Sequence, residues 1–294
     1  MQTIFIAGCG YIGGRIARIS RDKGIAVTCM VRSREHADSL ESEGFGTVVG
    51  TLDDRSALPE FAVSGTILFY LVPPPGGGTT DTRVRNFLAA LGHTGKPLKI
   101  IYVSATSVYS ETRGGGVTER SPTLPVSAMG KRRLDAEAAF MEFGACNGVP
   151  VVILRVSGIY GPGRLPVMQI RQGQPLLREE ESGPSNRIHA DDLADICMAA
   201  AEKGEGGEVF NISDGAPSSM TAYFNACADA LGEPRQPQVT MDEARRLMSP
   251  LMFSYVSESR VVDITRMTKR LGISLRYPTL TEGLKGSIDP GERH

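Results

Sequence analysis

A glycine-rich run between a predicted strand and a predicted helix sets the first limit on the fold. Residues 8–13 read GCGYIG, the spacing G-x-G-x-x-G, directly after the apolar run Thr3–Ala7. In this context Gly8 makes a tight turn, Gly10 lets a pyrophosphate approach the backbone, and Gly13 lets the helix pack closely on the strand. The helix start adds free N–H donors. The motif predicts a dinucleotide-binding βαβ unit; a glycine-rich turn without a ligand is the alternative.

The first half of the chain alternates short apolar runs with helical patterns. Strands are predicted over 3–7, 26–31, 46–49, 66–72, 100–103 and 151–156, and helices over 11–24, 34–42, 81–91 and 134–143. The run 66–72 is continuously apolar, as expected for a strand that is buried on both faces. The alternation predicts an α/β fold, a Rossmann doubly wound parallel sheet with right-handed crossovers.

The pattern changes after Gly161, where prolines, glycines and isolated short elements replace the alternation. Helices are still predicted over 193–202, 221–231 and 241–248, the first of them from apolar residues spaced i, i+3, i+4 and i+7. We therefore predict a dinucleotide-binding domain over 1–161 and a smaller α/β substrate domain over 162–294.

Composition argues against several classes of protein. Lys and Arg number 32 against 33 Asp and Glu, a formal net charge of −1, so no nucleic-acid partner is expected. No apolar run approaches the ~18 residues of a membrane span, and no signal-peptide pattern is found, so the expectation is a cytoplasmic protein without a membrane partner. The cysteines are widely spaced and lack a C-x-x-C pair, which predicts free, mostly buried thiols and no metal site. They are Cys9, Cys29, Cys146, Cys197 and Cys227.

The end of the second predicted strand bears on the choice of cofactor. An NAD site usually has Asp or Glu there, ~20 residues after the glycines, to hold the ribose 2′-hydroxyl. This chain instead has Arg32, Ser33 and Arg34, without a carboxylate. Two guanidinium groups and a hydroxyl can bind a 2′-phosphate, so NADP is predicted over NAD. The alternative is that both arginines are ordinary surface charges.

Together with other segments in the same order, these motifs resemble the extended short-chain dehydrogenase/reductases, the nucleotide-sugar epimerase/dehydratase group, and most of all its atypical bacterial members. The matching segments are FIAGCGYIGG (5–14), IIYVSATSVY (100–109), LRVSGIYGPGR (154–164), NRIHADDLAD (186–195), EVFNISD (208–214) and 259–284. The resemblance implies a small-molecule substrate in a cleft between the domains, against the nicotinamide. It also implies that residues 187–213 return to the first domain, which makes the second discontinuous, and that a homodimer is possible.

The stretch after the fourth predicted strand departs from the small residues common in the family and resembles atypical members instead. Residues 71–78 read LVPPPGGG and should pass near the nicotinamide ribose, as a lid or as a long solvent loop. The predicted cofactor-binding residues are Gly8, Gly10, Tyr11, Ile12, Gly13, Arg32, Ser33, Arg34, Leu52, Leu71, Val72, Pro73 and Ser104.

The family's catalytic device is a Tyr and a Lys four residues later on one helix, with a Ser or Thr at the end of strand five. A phenol with a pKa of ~10 is a poor acid–base group at neutral pH, and the nearby ammonium lowers that pKa. This chain contains no Tyr-x-x-x-Lys; aligned with the family helix, Met129 takes the place of the Tyr and Arg133 that of the Lys, while Ala105 replaces the Ser or Thr. A thioether transfers no proton and a guanidinium does not deprotonate, so the usual chemistry is not expected.

Other polar residues could carry the proton. Thr106 and Ser107 lie beside the vacated Ser/Thr position, and Tyr109 and Tyr160 each have an Arg four residues later. We predict Thr106, Tyr109 and Arg133 as the catalytic residues. Packing within turns is the alternative for both tyrosines.

Three residues are predicted to bind substrate: Arg164, Arg187 and His189. The arginines could grip a phosphate or carboxylate, as could Arg155, for which a strand-end ion pair is the alternative. His189 has an unperturbed pKa near ~6.5, and a hydrogen-bonded residue at the domain junction is its alternative.

Two functions remain open on the sequence. One is an NADP-binding reductase or epimerase that acts on a small polar or nucleotide-sugar-like substrate without the Tyr/Lys pair. The other is a non-catalytic NAD(P)-binding protein that signals to a partner.

Overall fold

A parallel sheet forms the centre of the computed structural model, which describes residues 3–249, 252, 253, 256 and 258–288. The strands are β1 (Thr3–Ala7), β2 (Val27–Val31), β3 (Gly46–Val49), β4 (Thr66–Tyr70), β5 (Lys99–Ala105), β6 (Arg113–Val117), β7 (Val151–Val156), β8 (Gly158–Tyr160), β9 (Leu176–Leu177), β10 (Pro184–Ser185), β11 (Arg187–His189), β12 (Val209–Ile212), β13 (Ser218–Ser219), β14 (Gln238–Val239) and β15 (Ser259–Val262). Seven of them pair in parallel in the order β12-β7-β5-β4-β1-β2-β3. This sheet confirms the predicted α/β, Rossmann-like fold.

Helices cover the sheet on both faces. They are α1 (Tyr11–Asp22), α2 (Arg34–Ser42), α3 (Thr82–Thr94), α4 (Ala128–Asn147), α5 (Val167–Arg171), α6 (Ala190–Lys203), α7 (Met220–Leu231), α8 (Met241–Leu247) and α9 (Leu280–Lys285). Single 3₁₀ turns lie at Arg55–Ala57, Thr106–Val108 and Glu179–Glu181, and a π turn at Met267–Leu271. None of the described helices is both long and apolar enough to cross a membrane.

The central strand β4 shows why the core has two layers. All five of its residues are buried, and their side chains alternate between the two faces. Ile67 and Phe69 join the cluster that α1 and α6 complete, whereas Leu68 and Tyr70 join the cluster of α3 and α4. The uninterrupted apolar run predicted for this strand therefore reflects helices on both faces.

After β7 the chain leaves the main sheet and returns to it. Helix α6 packs beside α1, and β12 then pairs in parallel with the edge of β7. The remaining strands form two-stranded sheets, in which β8 pairs with β11, β9 with β14, β10 with β13, and β6 with β15. A separate apolar cluster, built around Tyr160, Phe224 and Leu284, lies within this second half. The proposed division at residue 161 stays a prediction.

A buried ion pair links α4 to β7, the strand beside the edge strand β12 of the main sheet. Arg155 on β7 and Glu137 on α4 lie 2.8 Å apart, with side chains only 8% and 5% exposed. Ser104 on β5 donates a hydrogen bond of 2.6 Å to the same carboxylate, and Arg155 donates to the Tyr109 hydroxyl. Arg155 thus forms the ion pair considered for it on the sequence. Its partner carboxylate lies on α4, the helix that also carries Met129 and Arg133.

Removing one charge of this pair should destabilise the protein strongly. In Glu137→Gln the Arg155 guanidinium stays buried without a countercharge, and we expect a loss of about 3–5 kcal/mol in the free energy of unfolding. Asp229→Asn is the matched control, because Asp229 and Arg235 form a pair whose side chains are 52% and 61% exposed. The control should cost less than about 1 kcal/mol. Equal losses in urea unfolding would contradict this interpretation.

Candidate active site

The loop from Gly8 to Gly13, here called the glycine cradle, joins β1 to α1. Gly8 has a φ of +86°, and a Cβ there would lie 2.9 Å from the backbone N of Val72. A Cβ on Gly13 would lie 2.9 Å from the Gly8 carbonyl oxygen, whereas one on Gly10 would meet no heavy atom within 4 Å. Gly8 and Gly13 are therefore fixed by packing, and Gly10 borders open space that a ligand can enter.

The start of α1 leaves its first N–H groups without side-chain partners. Gly10 is the N-cap, no side chain caps the helix, and the first turn, which begins with Tyr11 and Ile12, has no acidic residue. The first-turn N–H groups of a helix have no intrahelical acceptor, and the helix dipole favours negative charge beside them. This end of α1 can bind an anion such as a pyrophosphate.

Tyr11 connects the cradle to the segment that follows β8. Its hydroxyl donates a hydrogen bond of 2.9 Å to the carbonyl of Pro162. The guanidinium groups of Arg15 and Arg164 lie over the Tyr11 ring, 4.0 and 5.0 Å from its centroid. Arg15 also pairs with Asp191 at the start of α6, at 2.7 Å. The structure thus brings the predicted substrate residue Arg164, which is exposed, next to the predicted cofactor residue Tyr11.

Two of the three polar residues after β2 are already engaged within α2. The Arg34 guanidinium pairs with Asp38 at 2.6 Å and with Glu41, both on the same helix. The Ser33 hydroxyl accepts a hydrogen bond from the backbone N–H of His36 and so caps α2. Ser33 can still donate its proton, but Arg34 has its charge compensated locally.

Arg32 is the third residue, and it is exposed. In the described part of the chain its guanidinium makes no hydrogen bond or ion pair. Its charge acts at a distance on Asp53, whose pKa is lowered mainly by the hydrogen bond from Arg83 and less by Arg32. Of the three residues predicted to bind a 2′-phosphate, Arg32 is the one whose guanidinium is still available to pair with that group.

The end of β4 forms a wall of the cradle. The N–H of Leu71 donates to the Ala7 carbonyl at 2.9 Å, which continues the pairing of β4 with β1 beyond Tyr70. This holds Leu71 and Val72 against Gly8. Leu52, also a predicted cofactor residue, is 4% exposed, and its carbonyl accepts from the Asn86 amide at 2.9 Å.

Two arginines hold the ends of the proline–glycine loop. Arg83 of α3 donates to the Pro73 carbonyl at 2.9 Å, and Arg132 of α4 donates to the Gly78 carbonyl at 2.6 Å. Within this loop, residues 71–78, the three glycines at 76–78 are exposed. A Cβ on any of them would meet no heavy atom within 4 Å. The loop is therefore anchored at both ends and open between them, which fits a lid as well as a solvent loop.

The positions of the family's catalytic pair carry no proton-transfer group. Met129 lies half-buried in the first turn of α4. Arg133, one turn later, donates to the Val103 carbonyl at 3.0 Å and lies 3.4 Å from the Tyr102 hydroxyl. Tyr102 does not replace the missing phenol, because it is fully buried and burial raises its pKa to about 12.

The predicted catalytic residue Tyr109 lies inside the protein. It is 1% exposed; its hydroxyl donates to the Asn211 side-chain oxygen at 2.5 Å and accepts from Arg155 at 3.2 Å. Burial raises its pKa, against the opposing effect of Arg155. The hydroxyl is therefore used within the fold, in agreement with the packing alternative.

Two hydroxyls beside it are not engaged in the described part of the chain. Thr106 is partly exposed, and its side chain makes no hydrogen bond there. The Ser107 hydroxyl is buried and has no partner. Ser104, predicted to contact the cofactor, is instead 2% exposed and bonded to Glu137.

Arg187 is a buried cation without a carboxylate partner among the described residues. It donates to the hydroxyls of Ser218 and Ser185 at 2.8 and 2.9 Å, and its guanidinium lies 4.2 Å from the centre of the Tyr223 ring. Burial lowers the pKa of Arg187. Burial also raises the pKa of nearby Asp214 to about 6. The unbalanced charge favours an anion nearby, although hydrogen bonds to Ser218, Ser185 and the Ser219 carbonyl already use three of the guanidinium donors.

His189 is completely buried at the start of α6. Its Nδ1 accepts from the backbone N–H of Asp191, and its Nε2 lies 3.3 Å from the Ser287 hydroxyl. Its ring centre lies 3.9 Å from that of Tyr277. Burial lowers the pKa of His189, so the ring is neutral near pH 7. Both nitrogens are occupied, which agrees with a hydrogen-bonded residue at the junction.

Several polar groups of this region are not predicted by the sequence. The i, i+4 spacing of Tyr11 and Arg15 on a helix indicates contact between these two side chains, but no sequence signal marks the pair of Arg15 with Asp191, 176 residues away. The hydroxyl of Tyr70 and one carboxylate oxygen of Asp81 are buried without partners, and no sequence signal marks them. No group of three or more potential metal ligands was found among the described residues.

Comparison with known proteins places this geometry in context. The profile described as "NAD dependent epimerase/dehydratase family" matches residues 4–213. Protein YeeZ of Escherichia coli K12 is 25% identical over 292 residues, which cover 95% of this chain and 97% of YeeZ. The 4-hydroxy-2-methyl-3-oxo-4-farnesyl-3,4-dihydroquinoline-1-oxide ketoreductase of Stigmatella aurantiaca is 24% identical over 247 residues, 79% of this chain and 74% of that protein.

Solved structures show the same architecture. A conserved protein of unknown function from Silicibacter pomeroyi aligns with a TM-score of 0.81 and 26% identity, over 97% of both chains. The UDP-glucuronic acid 4-epimerase of Bacillus cereus in complex with NAD aligns with a TM-score of 0.76 and 21% identity, also over 97% of both chains. The second likeness shows the fold alone.

A methyl group added at Gly10 should have a different effect from one added at Gly13. Gly10→Ala fills space that the protein leaves open, so we expect a change below about 1 kcal/mol in the free energy of unfolding but at least tenfold weaker dinucleotide binding. Gly13→Ala should destabilise the protein by about 1–3 kcal/mol, because its Cβ overlaps the Gly8 carbonyl. Urea unfolding and NADPH titration of both variants test this. Unchanged NADPH binding by Gly10→Ala would contradict the cradle assignment.

Proposed function

The chain belongs to the NAD-dependent epimerase/dehydratase family, and within it we propose an NADP-dependent oxidoreductase or epimerase that works without the Tyr/Lys pair. Its substrate would be a small polar or nucleotide-sugar-like molecule. The observation that carries the proposal is the glycine cradle, where an uncapped helix start faces the open space at Gly10. Backbone N–H groups at such a point bind pyrophosphate.

The preference for NADP is argued from charge. Arg32 at the end of β2 is exposed and free to pair with a 2′-phosphate, and the Ser33 hydroxyl beside it can donate a hydrogen bond. At the corresponding place an NAD site has a carboxylate, which would repel that phosphate. Arg34 contributes less than the sequence suggests, because Asp38 and Glu41 already neutralise it.

When bound, the cofactor supplies hydride transfer at its nicotinamide. The chain's own residues then bind, orient and protonate the substrate. Arg164 stands beside Tyr11 with an exposed guanidinium and would bind a phosphate or carboxylate. Thr106, which is partly exposed and whose side chain makes no hydrogen bond to the described residues, would hold the substrate oxygen and pass on a proton from solvent. Met129 offers an apolar contact and no proton.

Reduction of a ketone needs only one hydride and one proton, and the similar protein from Stigmatella aurantiaca is named a ketoreductase. This favours a reductase over an epimerase for the present chain. An epimerase must also return the hydride to the opposite face of the same carbon, which calls for an acid–base group that acts in both directions. None of Met129, Arg133 and Ala105 has a side chain that gives up and takes back a proton near neutral pH.

A non-catalytic NADP-binding protein is the second candidate. It is favoured by the engagement of the predicted catalytic groups within the fold. Tyr109 is bonded to Asn211 and Arg155, and Arg133 donates to a backbone carbonyl. In such a protein the bound cofactor would order the cleft for a partner instead of reacting.

We also propose that the chain forms a homodimer through the outer faces of α3 and α4. Helix α4 carries apolar residues on its outer side, and Leu134 and Ala138 line a groove of about 440 Å³ with the preceding loop. In that loop Leu124 is 75% exposed. An uncovered apolar face is a feature that supports the proposed interface. Sedimentation analysis should show a dimer, and a monomer at all concentrations would refute this part.

Cofactor choice can be tested with two neighbouring arginines. Arg32→Ala should weaken NADPH binding about tenfold, a loss of about 1.4 kcal/mol, and leave NADH binding unchanged. Arg34→Ala is the matched control and should weaken NADPH less than threefold. NADPH fluorescence reports the titration well, because the chain contains no Trp. If neither cofactor binds the unmodified protein, the enzyme and sensor proposals fail together.

Turnover separates the enzyme from the sensor. With NADPH and a panel of small polar ketones and keto sugar nucleotides, Thr106→Val should lower kcat about 100-fold, within the range of general acid–base contributions. Tyr109→Phe should lower stability but keep kcat of the folded protein. NADPH that binds tightly without being consumed by any carbonyl of the panel would support the sensor. Equal activity of Thr106→Val and the unmodified protein would exclude the role given to Thr106.

A further inference from the structure

Two cysteines meet beneath the glycine cradle. Cys9 lies inside the cradle, between Gly8 and Gly10, and Cys29 lies on β2. Their sulfur atoms are 2.8 Å apart. Both residues are buried, with exposures of 1% and 0%. No other cysteine of the described chain lies against a second one, so this contact distinguishes the pair.

The separation is short for two thiols. Non-bonded carbon atoms, which are smaller than sulfur, pack at ~3.5–4.0 Å, whereas a disulfide bond is ~2.05 Å long. From 2.8 Å the sulfurs need to approach by only about 0.75 Å to bond. The backbone already holds the two residues together, because the N–H groups of Gly8 and Cys9 both donate to the Met30 carbonyl at 3.1 Å.

We propose that Cys9 and Cys29 are a dithiol that a hydroperoxide closes to a disulfide, and that the closed form binds the dinucleotide weakly. In the first step the Cys9 sulfur takes one oxygen of hydrogen peroxide and becomes a sulfenic acid, with release of water. In the second step the Cys29 sulfur attacks it, the S–S bond forms, and the hydroxyl leaves as water with the Cys29 proton. Each sulfur loses one electron, and the peroxide takes up both.

The position of the pair explains the effect on binding. The proposed pyrophosphate donors are the first N–H groups of α1, which begins two residues after Cys9, and Arg32 follows Cys29 by three residues. We expect a disulfide to move the cradle towards β2 by up to about 1 Å. A binding site tolerates errors of only ~0.5 Å in its donors. The second half of the proposal therefore rests on the proposed function, whereas formation of the bond does not.

Burial limits the rate at which the disulfide forms. The hydrogen bond with Cys29 and burial raise the pKa of Cys9, so its thiolate is scarce and oxidation is slow. The exposed Cys146 should be alkylated first. Because formation of the disulfide weakens NADPH binding, bound NADPH should by reciprocity disfavour the disulfide at equilibrium.

Peptide mapping tests the bond. The folded, reduced protein is treated with hydrogen peroxide, free thiols are blocked, and the protein is digested with trypsin without reduction. Cleavage leaves Cys9 in peptide 1–15 and Cys29 in peptide 24–32, so a cross-linked pair of these peptides is expected. Cys9→Ser and Cys29→Ser should each abolish it, while Cys197→Ser, a change at another buried thiol, should not. Absence of the cross-link after all of Cys146 has reacted would overturn the proposal.

NADPH titration tests the regulation separately. The oxidised protein should bind at least tenfold more weakly than the reduced one, and dithiothreitol should restore binding. Cys29→Ser should bind NADPH like the reduced protein before and after peroxide. Equal affinity of both forms would overturn the regulatory part. If even the reduced protein does not bind NADPH, the proposed function fails, while the peptide map still decides whether the dithiol closes.

Discussion

The buried pair of Arg155 and Glu137 is the contact on which the packing of α4 against the sheet depends. Charges in a protein interior are tolerated only when they stay together and their remaining hydrogen-bond positions are filled. Ser104 and Tyr109 fill those positions here. Helix α4 therefore cannot slide along the sheet without exposing an unpaired charge to a low dielectric. The hydroxyls of Ser104 and Tyr109 are engaged in these structural hydrogen bonds, so they are not available for proton transfer.

Much of the fold follows from patterns that act over short distances along the chain. Strands β1, β3 and β7 and helix α2 begin and end at the predicted residues. Helix α4 is longer than predicted, 128–147 instead of 134–143, because its first six residues, AMGKRR, contain a glycine and three basic residues and lack the apolar spacing. Its N-cap, Ser127, was a readable signal. Strand β12 was not predicted as a strand, since its four residues are stabilised mainly by pairing with β7.

The candidate site likewise has one part that local sequence patterns predict and another part that depends on tertiary contacts. The roles of the glycines can be derived from spacing, and the pairing of Arg34 with Asp38 follows from their i, i+4 positions on a helix. The engagement of Tyr109 with Asn211, 102 residues away, and the burial of His189 depend on tertiary contacts that no local pattern encodes. Recognition of the dinucleotide relies on backbone groups and fixed charges, and proton transfer on titratable side chains. A chain can therefore keep the first while it loses the second.

The hydrogen bond from Tyr11 to Pro162 links parts of the molecule that lie 151 residues apart in sequence. Tyr11 belongs to the cradle and Pro162 to the segment after β8, so any outward motion of that segment must break a bond worth about 1 kcal/mol. Outward motion of that segment and a shift of Tyr11 in the cradle are therefore linked through one hydrogen bond. Such a motion would fall in the microsecond-to-millisecond range of collective movements, and loss of the Tyr11 hydroxyl would ease it without any change to the glycines of the cradle.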